Sequence, residues 1–381
     1  MHRKLLNLAV VFCGIVAALV MGEVLARNFL VLEKFISDPI LERRGSTAFG
    51  HDKNGFRNSS IYSVASIVAI GDSQTYGDNA KMEESWPHVL SQLSSKIVYQ
   101  MAFGGYGPPQ YSYLFDKALE FHPDLVIVAT FPGNDLRDAA NDIYFGEYWK
   151  ELRRENFMPQ WQRSSVTNPD ANLILQYGAE NKSFKLIFLK FRNWIYGNSK
   201  LYVFLGKSTR ILRERLGLAQ TLEERDQSAF QWAQSHLEAG VAFERGNIST
   251  ILAPQLRIDT IDLDNPNAQE GFRLTKELFT SIRDRAEGKT KLVFVYIPTK
   301  EFVYSHISDQ EELKRFYAAE SRLRDAFLKF CDSIKTTCID TTGNLVAALE
   351  QDIPIVSLGT DGHYNAGGYA VIAKTIYNEL R

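Results

Sequence analysis

A serine, a histidine, an asparagine and several glycines stand in short segments far apart in this sequence, and together they have the makings of acyl-transfer chemistry. Ser73 sits in Val68-Ala69-Ile70-Gly71-Asp72-Ser73-Gln74-Thr75-Tyr76-Gly77, directly after an apolar run and a glycine suited to a tight turn. A serine hydroxyl is a weak nucleophile at neutral pH. It needs an imidazole to take its proton, and the imidazole needs a carboxylate to fix its tautomer. His363 lies in Thr360-Asp361-Gly362-His363-Tyr364-Asn365-Ala366-Gly367-Gly368, closely flanked by an acid and glycines and placed just before the last helical segment. The oxyanion formed in acyl transfer needs preorganised donors, each worth about 2.7–4 kcal/mol. Two further segments offer them: Ala102-Phe103-Gly104-Gly105-Tyr106-Gly107-Pro108, through backbone N–H groups, and Phe131-Pro132-Gly133-Asn134-Asp135, through an amide side chain. Taken singly, each segment is an ordinary turn or helix cap, where Asp, Ser and Gly abound. Their joint order carries the information.

The elements that must position these residues follow from periodicity. Continuous apolar runs at Val64 to Ile70, Ile97 to Ala102, Leu125 to Phe131, Leu292 to Ile297 and Thr336 to Asp340 read as buried parallel strands. Helical segments at Glu84 to Leu93, Pro109 to Phe121, Glu311 to Lys329 and Ala366 to Leu380 alternate with them. The pattern predicts an α/β fold built on a doubly wound, five-stranded parallel sheet, with ligands at the carboxyl ends of its strands. About 150 residues separate the third and fourth runs, far beyond an ordinary crossover, and are expected to form a large, mainly helical insertion. It holds Tyr144, Phe145, Tyr148, Trp149, Phe157 and Trp161, then Phe184, Phe188, Phe191, Trp194 and Tyr196. From Lys182 to Arg215 nine basic residues face one acid, Glu214. That stretch suits a helical cap with a solvated basic face, an amphipathic helix on a membrane surface, or a face for an anionic glycan.

With the four segments in this order, the sequence resembles the SGNH-hydrolase family, also called GDSL-type esterases and lipases, in its membrane-anchored bacterial form. The resemblance spans roughly Ser63 to Phe131 with its following loop, and Lys291 to the end. It implies a flavodoxin-like sheet, Ser73 as nucleophile and first oxyanion donor, Gly105 as second donor and Asn134 as third. It likewise implies His363 as general base and Asp361 as its orienter. The sequence departs from the family pattern in three places. Many members carry the acid three residues before the histidine, where Thr360 stands here; Asp361 is two before, a spacing also found in SGNH-like O-acetyltransferases. The third segment reads Gly-Asn-Asp rather than Gly-x-Asn-Asp. In the second, Gly104 precedes Gly105, and Gly105 is chosen because it keeps the spacing to Tyr106-Gly107. Lys300, at the same sheet edge, reads either as a substrate contact or as a solvated loop lysine and stays outside the catalytic set.

The chain has 381 residues, 45% of them hydrophobic, and a net charge of −2, which gives no global attraction to nucleic acid. His51, His88, His122, His236 and His306 show no ligand spacing, so no metal and no cofactor is expected. Leu5 to Met21 are almost wholly apolar behind His2, Arg3 and Lys4, which predicts a membrane-spanning anchor with the body outside the cytoplasm, at the inner membrane facing the periplasm. A cleaved signal peptide ending near Val24-Leu25-Ala26 and a buried core helix are the other readings. Cys331 and Cys338, seven apart, suit a disulfide in an oxidising compartment, or else two small buried thiols. The expected organisation is an anchor at 1–26, a linker and entry loop at 27–62, the catalytic domain at 63–138 and 291–381, and the insertion at 139–290. The expected activity is serine ester hydrolysis on an O-acylated envelope glycan or lipid. Transfer of the acyl group to a glycan hydroxyl, and a non-catalytic glycan-binding component of an assembly, are the alternatives.

Overall fold

Alternation within the strands dictates the layering. In the computed structural model Val68 and Ile70 pack into one apolar cluster while Ile67 and Ala69 pack into another on the opposite face. Phe294 and Tyr296 divide from Val293 and Val295 in the same way. Both faces of the sheet are therefore covered, as a parallel sheet requires. The structure describes residues 2–29, 35–160, 195, 198–236 and 240–381, and these form two units: 2–29 with 195 and 198–225, and the remainder.

The larger unit opens with a hairpin of β1 (Phe35–Asp38) and β2 (Glu42–Gly45). The central sheet contains β3 (Ile67–Gly71), β4 (Val98–Ala102), β5 (Leu125–Thr130), β8 (Lys291–Tyr296) and β9 (Thr337–Asp340), with a further hairpin of β6 (Val241–Arg245) and β7 (Ile248–Leu252) outside it. The five central strands are all parallel, in the order β4-β3-β5-β8-β9. This is the doubly wound, five-stranded parallel sheet that the alternating pattern predicted, in the flavodoxin-like order that the resemblance implied, with its switch point beside β3. The helices are α2 (Ser73–Tyr76), α3 (Trp86–Ser94), α4 (Pro108–Leu119), α5 (Asp135–Phe145), α7 (Pro266–Ala286), α8 (Lys300–Ser305), α9 (Glu311–Ser333), α10 (Thr342–Glu350) and α11 (Ala366–Glu379). Side chains of α4, α5, α7 and α9 mainly line one face of the sheet and those of α3, α10 and α11 the other, while α8 gives Phe302 to the first layer and Val303 and Tyr304 to the second.

Within 139–290 the described residues are not all peripheral. Helix α7 belongs to the sheet's own helical layer and packs closely along α5. A Cβ on Gly271 would overlap the Leu136 carbonyl oxygen, so only glycine allows this approach. The β6–β7 hairpin adds extended structure to a stretch expected to be mainly helical. Residues 35–62 likewise do more than connect. Asp52 accepts hydrogen bonds from Tyr99 Oη (2.7 Å) and Asn58 Nδ2 (3.0 Å). Asn58 in turn pairs with both backbone groups of Gln100 on β4.

The smaller unit contains α1 (His2–Phe29) and α6 (Lys200–Arg215). Val10–Asn28 within α1 has a mean hydropathy of 2.0 and is largely exposed, so it is long and apolar enough to cross a membrane or to serve as a signal sequence. An acid near the end of that run is fully engaged: Glu23 accepts from Ser199 Oγ (2.7 Å) and from the N–H groups of Lys200 and Leu201 (3.0 Å each). These are the orphan donors at the start of α6, so a side chain of one helix caps the next. Helix α6 keeps Phe204, Leu205, Ile211 and Leu212 exposed along one side and Lys207, Arg210 and Arg213 along another. The aromatic and basic residues expected between Trp161 and Trp194, and Tyr196, lie outside the described residues.

Cys331 near the end of α9 and Cys338 on β9 form a disulfide, with Cα atoms 6.1 Å apart. It ties an edge strand to the helix that covers it. By the chain-entropy relation, closing so short a loop contributes about 2.5 kcal/mol. Reduction, or Cys331→Ser, is expected to lower unfolding stability by about that amount, measured by urea titration with and without reductant.

Candidate active site

Three strand ends and the loop before α11 converge on one edge of the sheet. After β3, Asp72 caps the single turn of α2, its side chain accepting from Gln74 N–H at 2.9 Å. Ser73 is the first residue of that turn, where a backbone N–H has no intrahelical acceptor. Its side chain is largely buried, and its hydroxyl makes no hydrogen bond among the described residues.

After β4 the chain reverses through Phe103-Gly104-Gly105-Tyr106, closed by Tyr106 N–H to Phe103 O at 3.2 Å. Gly105 holds φ +86°, the third position of a type II turn, which calls for glycine. Its N–H donates to no described protein group. Gly104 stands beside the serine, since a Cβ there would lie 3.8 Å from Ser73 Cβ.

After β5, Asn134 caps α5 and its Nδ2 donates to Asp138 Oδ2 at 2.8 Å. One amide hydrogen stays uncommitted, and Asn134 Oδ1 is buried without a partner. Asp135 pins this corner from below. Fully buried, it accepts from Thr130 Oγ1 (2.7 Å), Phe131 N–H (3.0 Å) and Tyr111 Oη (2.8 Å).

The loop before α11 brings the histidine. Asp361 Oδ1 lies 2.5 Å from His363 Nδ1 and accepts from His363 N–H at 3.0 Å. Asn79 Nδ2 holds the other carboxylate oxygen at 2.9 Å. A carboxylate on Nδ1 keeps the proton there and leaves Nε2 as the acceptor of the neutral ring. An acid two residues before the histidine therefore reaches the same ring nitrogen that an orienting carboxylate must hold. Nε2 lies 3.9 Å from Asp78 Oδ2. No hydrogen bond joins it to Ser73, a contact that commonly forms only with substrate present.

The charges follow from this geometry. Burial pushes the His363 pKa down, but the hydrogen bond and charge of Asp361, with Asp78 and Asp72 adding, outweigh burial and raise it above the ordinary 6.5. Burial would raise Asp361, yet its bonds to His363 hold it below the usual carboxylate range. Asp72 is driven by burial up to about 7, against the opposing pull of Gln74 N–H and His363.

Several residues of the site went unnoticed in the sequence. Gln74 is fully buried. Its Nε2 donates to Gly362 O at 3.0 Å, and its Oε1 accepts from Tyr364 N–H at 3.4 Å, with Tyr369 Oη 3.3 Å away. One amide thus grips the backbone on both sides of His363. Arg57 clamps the far end of the serine turn through Tyr76 O, Gly77 O and Ala80 O. A helical glutamine and a loop arginine have surface-like character, and only their adjacency to the serine motif could have marked them. Lys300 is neither solvated nor directed to a ligand: it is fully buried, and its Nζ donates to Gly359 O at 2.8 Å.

No protein-family model and no curated protein matches the sequence. Among solved structures, the chain is similar to the acetylxylan esterase Axe2 of Geobacillus stearothermophilus, in a catalytic mutant, at 8% identity and a TM-score of 0.37, over 84% of this chain and 95% of that one. It is similar to the acetyl xylan esterase AlAXEase at 10% identity and 0.36, over 83% and 100%. A protein assigned to the lipolytic G-D-S-L family, from Desulfitobacterium hafniense DCB-2, matches at 13% identity and 0.35, over 82% and 97%. Superpositions this loose carry no weight for activity or substrate, which rest on the site itself.

Replacing Gln74 with Ala leaves the Gly362 carbonyl and the Tyr364 N–H unpaired in the interior. Unfolding stability is expected to fall by about 1–3 kcal/mol, read by urea titration.

Proposed function

We propose that this chain is an SGNH-type serine esterase that cleaves O-acyl esters of an envelope glycan or lipid through an acyl-Ser73 intermediate. The observation that carries the reading is the Asp361–His363 pair, with Nδ1 engaged and Nε2 left basic, on a loop clamped to the residue after Ser73.

In this mechanism Ser73 Oγ attacks the acyl carbonyl as its proton passes to His363 Nε2. The oxyanion is met by the N–H groups of Ser73 and Gly105 and the free amide hydrogen of Asn134. His363 then returns the proton to the departing alkoxide as the ester C–O bond breaks. Water, deprotonated by the same nitrogen, attacks the acyl-serine and releases a carboxylic acid and free Ser73. These steps use the chain's own residues throughout. The apolar Val10–Asn28 helix behind Arg3 and Lys4 supports a membrane anchor with the site on the extracytoplasmic side.

The spacing of Asp361 and His363 favours a second reading, in which a sugar hydroxyl rather than water takes the acyl group. The same acyl-serine serves both. Adding candidate sugars to an ester assay and following the acyl group by mass spectrometry separates hydrolysis from transfer.

Ser73→Ala is expected to lower ester turnover by roughly a thousand-fold or more and to abolish covalent labelling by a fluorophosphonate. Labelling that persists in this variant overturns the assignment. The pH–rate profile supplies a second check. His363 acts only when unprotonated, so activity rises with pH through its raised pKa, and the acid limb should lie above about 6.5. Asp361→Asn removes the charge that opposes burial. It should shift that limb to lower pH and reduce kcat; an unshifted limb removes Asp361 from the relay.

A further inference from the structure

Of the guanidinium groups near the loops of the candidate site, Arg57, Arg137 and Arg257 are committed to protein groups. Arg57 holds three carbonyl oxygens of the serine turn. Arg137 Nε reaches Asp138 Oδ1 at 3.4 Å. Arg257 pairs with the buried Glu301 at 2.9 Å, behind Gly362. Arg43, on β2, is the exception: among the described residues its guanidinium makes no hydrogen bond and no ion pair. A Cβ built on Gly105 would stand 3.3 Å from Arg43 Nη2 and 3.5 Å from its Cζ, so the guanidinium overhangs the glycine turn. Its carbonyl is fixed by Tyr106 Oη at 2.7 Å, which ties β2 to that same turn. The Phe35 ring supports it from one side, 5.7 Å from Cζ.

The surroundings sharpen the contrast. Asp78, Asp361, Asp72 and Asp138 all stand around the serine and histidine, so an anionic group on a substrate can be held only where a cation offsets them. Asp138 is the carboxylate whose charge Arg43 most nearly opposes, yet its oxygens are held by Asn134 and Arg137. An unpaired, half-exposed guanidinium on a hairpin beside the acids of the site presents a planar fork that fits a carboxylate or a phosphate, and of the two the singly charged carboxylate is the less repelled by the surrounding acids.

We propose that Arg43 is a substrate-binding residue that receives a carboxylate lying close to the ester, so that the substrate is an O-acylated acidic sugar, a uronate, rather than a neutral one. This rests on the reading of Ser73, Gly105 and Asn134 as the acyl site. With the acyl oxygen against the Gly105 N–H, the sugar ring extends past the glycine turn, and a carboxylate on that ring meets Arg43.

The test uses the full chain in detergent with Ser73→Ala to prevent turnover. Affinity is measured for methyl O-acetyl-glucuronate as its free acid and for the matching methyl O-acetyl-glucoside. The acid is expected to bind at least about ten-fold more tightly, consistent with a charge-assisted bidentate pair. Adding Arg43→Ala should erase that preference, and Arg43→Lys, which keeps the charge but loses the fork, should retain part of it. Equal affinity for the two sugars, including no measurable binding of either, overturns the proposal, as does a preference that survives Arg43→Ala. Failure of the serine mechanism reads out separately, as ester turnover undiminished by Ser73→Ala, and leaves the affinity ratio as a measure of Arg43 alone.

Discussion

The site depends on one buried amide. Gln74 follows the serine by one residue and grips the peptide groups on either side of the histidine, 288 positions away for Gly362 and 290 for Tyr364. With Asn79 on Asp361 and Tyr369 Oη on the Asp78 carbonyl, it binds the exit of β3 to the entry of α11. A neutral amide suits the task, because it donates and accepts at once and brings no charge that would compete with Asp361 for the imidazole. It satisfies two backbone groups that would otherwise be orphaned in the interior, and backbone groups there are almost always paired. The loop it fixes is short and glycine-bearing, so without an external hold its histidine would sample many positions.

Around this amide the acids divide by environment. Asp135 is buried with its oxygens met by three donors, and it shapes the corner that presents Asn134. Asp361 is anchored by Asn79 and bends onto the ring nitrogen. Asp72 caps the serine turn with one oxygen and leaves the other buried without a partner, which is why burial dominates its titration. Carboxylates so close together coexist because each has different neighbours, the usual way for one fold to keep several acids in distinct protonation states.

Much of the architecture was legible because continuous apolar runs alternating with helical segments fit strands buried on both faces of a parallel sheet, whereas the flavodoxin-like arrangement was implied only by the family resemblance. Ser73, Gly105 and Asn134 stood out as candidates because each closely follows the end of an apolar run, and His363 because its acid- and glycine-bearing loop precedes the last helix. The rest depended on contacts that leave no local mark. Gln74 resembles any helical glutamine until its partners nearly three hundred residues away are known. Helix α7 was hidden because it lies within a stretch set aside as insertion, although Leu274, Leu278, Phe279 and Ile282 place a regular apolar stripe on the sheet. Residues 35–62 looked like connecting loop because their polar side chains are used inward, as with Asp52 and Asn58.

The close packing of α5 against α7 at Leu136 and Gly271 has an evolutionary consequence. The chain leaves the sheet along one helix and returns along the other, and the two are already locked side by side at the base of the excursion. Whatever is spliced between them starts and finishes at a fixed doorway. The entropy of closing such an excursion grows by only about 0.6 kcal/mol for each doubling of its length. Descendants of this scaffold can therefore trade one insert for another, with new location or new recognition, while the chemistry below keeps its shape.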